Sequence, residues 1–271
     1  MFGRERIELK TPEQVERMRS AGLVVDAALT AVAAAVRPGV TTAELDAVAA
    51  EVIAGHGATS NFLHYGADRQ GRGGFTGVVC LSVNEEVVHG VPGDRVLAEG
   101  DLLSIDCGAV VDGWHADAAR TVLVGEAPPE LVRLSEATRR AMWAGIAALR
   151  LGGRVGDVSA AVQASVEAEP HRYGIVADYT GHGIGSAMHM APDVPNTGRA
   201  GRGPRVVEGM VLCIEPMLTL GDAATVELED GWTVATRDGS PACHWEAMVT
   251  ATPDGVRVLT EPDEGVSALG R

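Results

Sequence analysis

The chain has 271 residues, a formal net charge of −15 at pH 7, and 46% hydrophobic against 22% charged residues. That length suffices for a large core in one big domain or two small ones, while the negative balance excludes nucleic-acid binding through general basicity. No apolar run is expected to reach the roughly 20 residues that span a bilayer, and the opening MFGRERIELK lacks the apolar stretch of a secretory signal. The cysteines Cys80, Cys107, Cys213 and Cys243 lie far apart without CxxC spacing, so they read as reduced thiols of a cytoplasmic protein.

Along the chain, Thr11-Pro12-Glu13 supplies an N-cap followed by proline at the first helical position, and apolar residues recur at helical spacing to about residue 36. RPGVTTAELDAVAAEVIAGHG predicts a turn, a threonine cap and a second helix that stops at Gly55 to Gly57. Strands are predicted at about 77–83, 101–107 and 115–124. The order then begins again. A long helix starts near Pro128-Pro129-Glu130, RLGGRVGDVSAAVQASVEAEP repeats the turn, cap and helix, and strands are predicted near 210–217, 224–230, 232–237 and 243–250. Asp230-Gly231 marks a tight hairpin. At one constant offset, Arg37, Gly39, Glu44, Leu45 and Ala47 correspond to Arg150, Gly152, Asp157, Val158 and Ala160. The expectation is one domain over 1–271 built of two related halves, roughly 11–125 and 128–255. Its class is α+β, with helices on the outer side of a curved, mostly antiparallel sheet.

The stretch SIDCGAVVDGWHAD puts acids into two runs that otherwise read as strand. Asp112-Gly113 is a type I′ hairpin signal, because both residues tolerate positive φ. With that pair as the loop, Val111 faces Trp114 and Asp106 falls opposite Ala119; alternation then places Asp117 on the face of Asp106. The neighbours Leu102, Leu103, Ile105, Val110 and Val111 predict a strand covered on both faces, which denies the acids a solvated one. Two buried like charges repel unless a proton or a cation lies between them. A divalent cation needs further ligands. YTGHGIGSAMHMAPDVPN offers His182 and His189, GMVLCIEPML offers Glu215, ACHWEAMVT offers Glu246 and SVNEEVVHGVPG offers His89. Singly, each has an ordinary explanation as a capped, solvated or ion-paired side chain. Together, Asp106, Asp117, His182, Glu215 and Glu246 form the mixture that suits two divalent ions sharing bridging carboxylates.

SVNEEVVHGVP, IDCGAVVDGWHAD, GHGIGSAMHM, GMVLCIEPM and DGWTVATRDGSPACHWE, in this order and spacing, resemble the type I methionine aminopeptidases over nearly the whole chain, from Ile7 to about Leu259. The resemblance implies the pita-bread fold. It also implies metal-dependent removal of the N-terminal methionine from nascent proteins whose second residue is small, through a metal-bridged hydroxide. Carried over by position, Asp106, Asp117, His182, Glu215 and Glu246 would hold two divalent ions (Co, Mn, Fe, Zn or Ni), with Asp117 and Glu246 bridging. Glu215 would also move the proton, and His89 and His189 would contact the substrate. Phe62, Tyr65, Phe75, Cys80, Met188 and Trp232 would form the methionine pocket. Met188 stands where an aromatic is common, and Ala247-Met248 follow Glu246 where members often have His-Thr. Nascent polypeptide N-termini in the cytoplasm are the implied partners, with the ribosome as a further candidate. No nucleic acid or membrane is expected, and the chain is expected to be a monomer without an N-terminal extension domain. The alternatives are an X-Pro aminopeptidase or prolidase of the same fold, whose members usually carry a large extra N-terminal domain, and a non-catalytic binding module, whose members typically lose ligands that are all present here.

Overall fold

Two reciprocal caps start the first pair of helices in a computed structural model that describes residues 6–270. In α1 (Pro12–Ala35) the Thr11 hydroxyl accepts from the Gln14 amide while Gln14 accepts from the Thr11 amide; Thr41 and Glu44 do the same for α2 (Thr42–Gly55). The strands β1 (Thr59–Ser60), β2 (Val79–Val83), β3 (Glu86–Val88), β4 (Leu102–Val111) and β5 (Trp114–Leu123) follow. Then come α3 (Pro129–Ala148), α4 (Val155–Glu167), β6 (Gly174–Ile175), β7 (Gly181–Gly183), β8 (Met190–Val194), β9 (Val211–Ile214) and β10 (Met217–Thr219). The chain closes with β11 (Thr225–Glu227), β12 (Val234–Thr236), β13 (Ala242–His244), β14 (Ala247–Thr252), β15 (Gly255–Val258) and α5 (Val266–Leu269). The larger sheets run β1-β4-β2, with β5 paired to β4, and β15-β14-β9-β7-β8; β13-β10-β6 and β11-β12-β3 are smaller. The ladders of both larger sheets are antiparallel.

Asp112 and Gly113 both take positive φ, 50° and 79°, and the register they set pairs Val111 with Trp114 and Asp106 with Ala119. Asp106 and Asp117 therefore share a face, as the turn chemistry predicts. Along β4, Leu103, Ile105, Cys107 and Ala109 pack into the core beneath α1 and α2, whereas Leu102 joins the core beneath α3 and α4. That double coverage keeps the acid-bearing face away from bulk water. The second core is built from Leu134, Met142, Ile146, Val158, Leu212 and Val249.

Backbone bonds recur between the halves. Gly39 N donates to Leu97 O and Leu97 N to Val40 O; likewise Gly152 N donates to Val206 O and Val206 N to Gly153 O. Asp157 accepts from the Arg154 amide as Glu44 does from Thr41. Both sets anchor the segment that leads into an acid-bearing strand, β4 with Asp106 and β9 running to Glu215.

Four expectations change. The strand expected at 210–217 is broken at Glu215-Pro216, where proline has no N–H for a ladder, and the one expected at 243–250 is broken at Trp245-Glu246. The hairpin at Asp230-Gly231 is wider than two residues: Leu228 N bonds Thr233 O, and the Asp230 carboxylate accepts from the Trp232 and Thr233 amides. Finally, α1 is long and apolar enough, by length and composition, to cross a membrane, although no such run was expected. It is an Ala- and Val-rich core helix. Half of its most apolar window is buried inside the protein, and its one mid-helix acid, Asp26, pairs with Arg120 of β5.

On α1, Gly22 lies so close to the segment after β15 that a Cβ would fall 2.2 Å from Leu259 O. Alanine gains up to about 1 kcal/mol over glycine in a helix, but overpacking against backbone costs typically ~1–3 kcal/mol. Gly22→Ala is thus expected to lower stability, by roughly 1–2 kcal/mol in urea unfolding, despite the better helix propensity.

Candidate active site

The β4–β5 hairpin delivers Asp106 and Asp117, and an isolated bridge from Ala119 to Glu246 brings the start of β14 alongside it, with Glu246 N to Ala119 O at 3.0 Å. His182 sits in β7 between two glycines that leave room for close backbones: a Cβ on Gly181 would lie 2.3 Å from Cys213 O, and one on Gly183 2.3 Å from Ala191 O. Glu215 is fixed through its carbonyl, which accepts from Asn196 Nδ2 at 3.1 Å. All five side chains expected as ligands line one cavity.

Their donor atoms converge. Asp106, Asp117 and Glu246 form one group with ligand atoms within 4.8 Å of one another; Glu215, His244 and Glu246 form a second, and Asp117, His182 and His189 a third. Asp117 and Glu246 each belong to more than one group. Asp117, His182, Glu215 and Glu246 are buried, and Asp106 keeps an edge open to the cavity although its Oδ1 is buried. His182 Nδ1 lies 3.0 Å from Gly183 O, and a carbonyl can only accept, so Nδ1 carries the proton and Nε2 turns a lone pair on the site. That Nε2 lies 3.4 Å from Glu215 Oε1.

Burial pushes the Asp106 carboxyl up to about 7, with the charge of Glu246 adding to it. Asp117, Glu215 and Glu246 are raised well above the carboxylate range, again by burial first and neighbouring acids second. Burial lowers His182 to about 3 and His89 to about 4, so both imidazoles are neutral. Asp106 Oδ1, Asp117 Oδ1, Glu246 Oε1 and His244 Nε2 are buried without a hydrogen-bond partner among the described residues. Orphaned oxygens on mutually repelling acids, beside neutral imidazoles, fit divalent cations of the manganese-to-zinc range.

The whole cavity measures about 320 Å³, and one of its walls is apolar. Phe62, Phe75, Cys80 and Met188 form a buried cluster with Trp232 against it; the Phe75 and Trp232 rings meet edge to face at 5.5 Å. Tyr65 lines the cavity from its rim: it is 41% exposed, and its hydroxyl lies 2.8 Å from His189 Nδ1. His189 packs edge-on to His182 at 4.5 Å, and His89, at φ 60°, packs on Tyr179. His244, Asp178, Tyr179 and Asp193 also line the site without having been singled out in the sequence. His244 had a readable signal, two residues before Glu246 in the same apolar stretch; the other three had none.

A carboxylate and imidazole centre at the end of an apolar cavity defines a metal-dependent hydrolase. The family model of metallopeptidase family M24 matches residues 16–253. A Mycobacterium tuberculosis protein named methionine aminopeptidase 1 is 50% identical over 263 residues, covering 95% of this chain and 96% of the relative. The crystal structure of a Thermotoga maritima methionine aminopeptidase superposes with a TM-score of 0.89 at 38% identity, over 94% of this chain and 100% of that one. A Pyrococcus furiosus prolidase, at 20% identity and a TM-score of 0.72, covers 93% of this chain and 65% of its own and shares the fold alone. The chain belongs to metallopeptidase family M24, the pita-bread metallopeptidases, and within it to the methionine aminopeptidases.

Because the acids hold protons that cations must displace, metal affinity is expected to rise with pH up to and beyond the Asp106 value of about 7. The gain should be roughly tenfold per pH unit for each proton displaced. Calorimetric titration with manganese in buffers of different ionisation heat checks both the affinity and the proton release; affinity flat from mildly acidic to mildly alkaline pH would contradict the assignment.

Proposed function

We propose that this enzyme removes the N-terminal methionine from nascent polypeptides with a small second residue, using Asp106, Asp117, His182, Glu215 and Glu246 to hold two divalent ions. One observation carries the reading: Cys80 of the apolar wall pairs directly across the sheet with Asp106. A side chain the size of methionine filling the wall of Phe62, Phe75, Cys80, Met188 and Trp232 thereby lays the first peptide bond over the acids. Divalent ions at such a centre act as Lewis acids and make a nucleophile of water near neutral pH.

This chain's own residues do the rest. Glu215, whose carboxyl is raised by burial, takes up a proton and hands it to the departing amine. The Tyr65 hydroxyl lies 2.8 Å from His189 Nδ1; in this reading it donates to that nitrogen, which leaves Nε2–H to face the substrate carbonyl as negative charge develops there. His89, neutral, hydrogen-bonds the substrate backbone from the other wall. The second residue lies beside the loop from His182 to His189, and a bulky group there meets Met188 and His189. The chain acts as one catalytic domain of two matching halves, supported by their recurring backbone bonds, and works where new N-termini arise, in the cytoplasm.

On a Met-X-Ser series, Ala, Gly and Ser at X are expected to be cleaved and Leu, Phe and Lys spared, with Thr and Val tolerated because methionine at 188 is adaptable. Met188→Phe should narrow that tolerance and leave Met-Ala-Ser turnover nearly intact. Preferential release before proline, from Ala-Pro peptides, would instead favour the X-Pro reading. Asp117→Asn is expected to lose at least one ion and lower kcat by roughly two orders of magnitude or more. Its effect should exceed that of Asp106→Asn, since an amide bridges two ions poorly; metal content and kcat on Met-Ala-Ser decide this.

A further inference from the structure

His244 has no role in that mechanism, yet it is among the most buried polar side chains of the site, at 2% exposure. Its backbone is gripped by the hairpin that carries Asp106 and Asp117. His244 N donates to Ser104 Oγ at 3.1 Å, Thr121 Oγ1 donates to His244 O at 2.7 Å, and the two hydroxyls lie 2.9 Å apart. The ring is thus placed by the metal-binding hairpin itself. Its Nε2 has no hydrogen-bond partner among the described residues and faces Glu215 Oε2 at 3.6 Å.

Glu215 consequently lies between two imidazoles, one for each oxygen, and the two contacts differ in kind. His182 has committed its proton to Gly183 O, so once Glu215 is ionised its Oε1 and the His182 Nε2, 3.4 Å apart, are both lone-pair carriers that cannot bond each other, as two ligands of one ion would be. Between these two rings, only His244 can offer Glu215 an N–H. A ligating carboxylate held at one oxygen alone can swing, and a donor on its other oxygen fixes the angle at which it meets the ion.

We propose that His244 is a positioning residue for Glu215: when Glu215 is ionised, the His244 Nε2–H closes from 3.6 Å to donate to Oε2 and holds the carboxylate with Oε1 turned toward His182. The inference rests on the reading of Glu215 as ligand and proton carrier. It assigns His244 a hydrogen bond and no place on the metal.

The test compares His244→Leu, which keeps the bulk and removes the donor, with His244→Gln, whose amide still donates. Manganese affinity and stoichiometry are measured by calorimetry, kcat and KM on Met-Ala-Ser by product release, and folding by urea unfolding of the metal-free proteins. The leucine variant is expected to lose roughly 10- to 100-fold in metal affinity and to drop in kcat with KM little changed. The glutamine variant should recover most of both. Should the leucine variant fail to fold, His244→Asn, whose amide is too short to reach, supplies the same contrast. Wild-type behaviour in the leucine variant overturns the proposal. So does a glutamine variant as poor as leucine that binds one ion fewer, because that pattern marks His244 as a ligand. A wild-type protein that binds no ion and cleaves no Met-Ala-Ser overturns the functional reading as well, which separates the two failures.

Discussion

The repulsion among four buried carboxylates is the constraint on which this structure turns. Asp106, Asp117, Glu215 and Glu246 have oxygens crowded into overlapping groups less than 4.8 Å across. At an effective dielectric of about 20, each fully charged pair at roughly 5 Å repels by on the order of 3 kcal/mol. A chain without ions relieves this by holding protons: burial first, and the neighbouring charges second, push all four acids up. Much of the fold serves to keep them together: α1 and α2 cover one face of β4, and the bridge from Ala119 to Glu246 ties the hairpin of one half to the strand start of the other.

The same construction puts unlike chemistries side by side. β2 and β4 pair in register, so an apolar wall residue and an acid are cross-strand neighbours, Cys80 beside Asp106. In the proposed reading, the side-chain pocket and the metal centre therefore share one ladder. Tyr65 and His189 meet at the rim of the same cavity, the Tyr65 hydroxyl 2.8 Å from His189 Nδ1.

Local chemistry was legible in the sequence wherever it decides the outcome. The Thr11 and Thr41 caps start helices where the capping pattern puts them, and Asp112-Gly113 sets a register that brings Asp106 and Asp117 to one face. Long-range packing was less legible. The breaks at Glu215 and Glu246 interrupt runs that read as continuous strand, because apolar patterning does not show where a ladder must end to turn an acid inward. The approach of His244 to Glu215 was not legible, although His244 lies two residues before Glu246, because only the tertiary fold brings the two side chains together. Ala247 and Met248, which depart from the family pattern beside Glu246, turn into the two hydrophobic cores.

Equilibrium unfolding of the chelated and the manganese-loaded protein, at about pH 5 and about pH 8, tests the central claim directly. An acid whose pKa is higher in the folded than in the unfolded state binds the extra proton when folded, so its contribution is present at low pH and is lost as pH rises through the folded value. The account predicts a chelated protein that becomes less stable toward about pH 8 and a manganese-loaded one that does not. Coincident unfolding curves for the two forms at both pH values would contradict it.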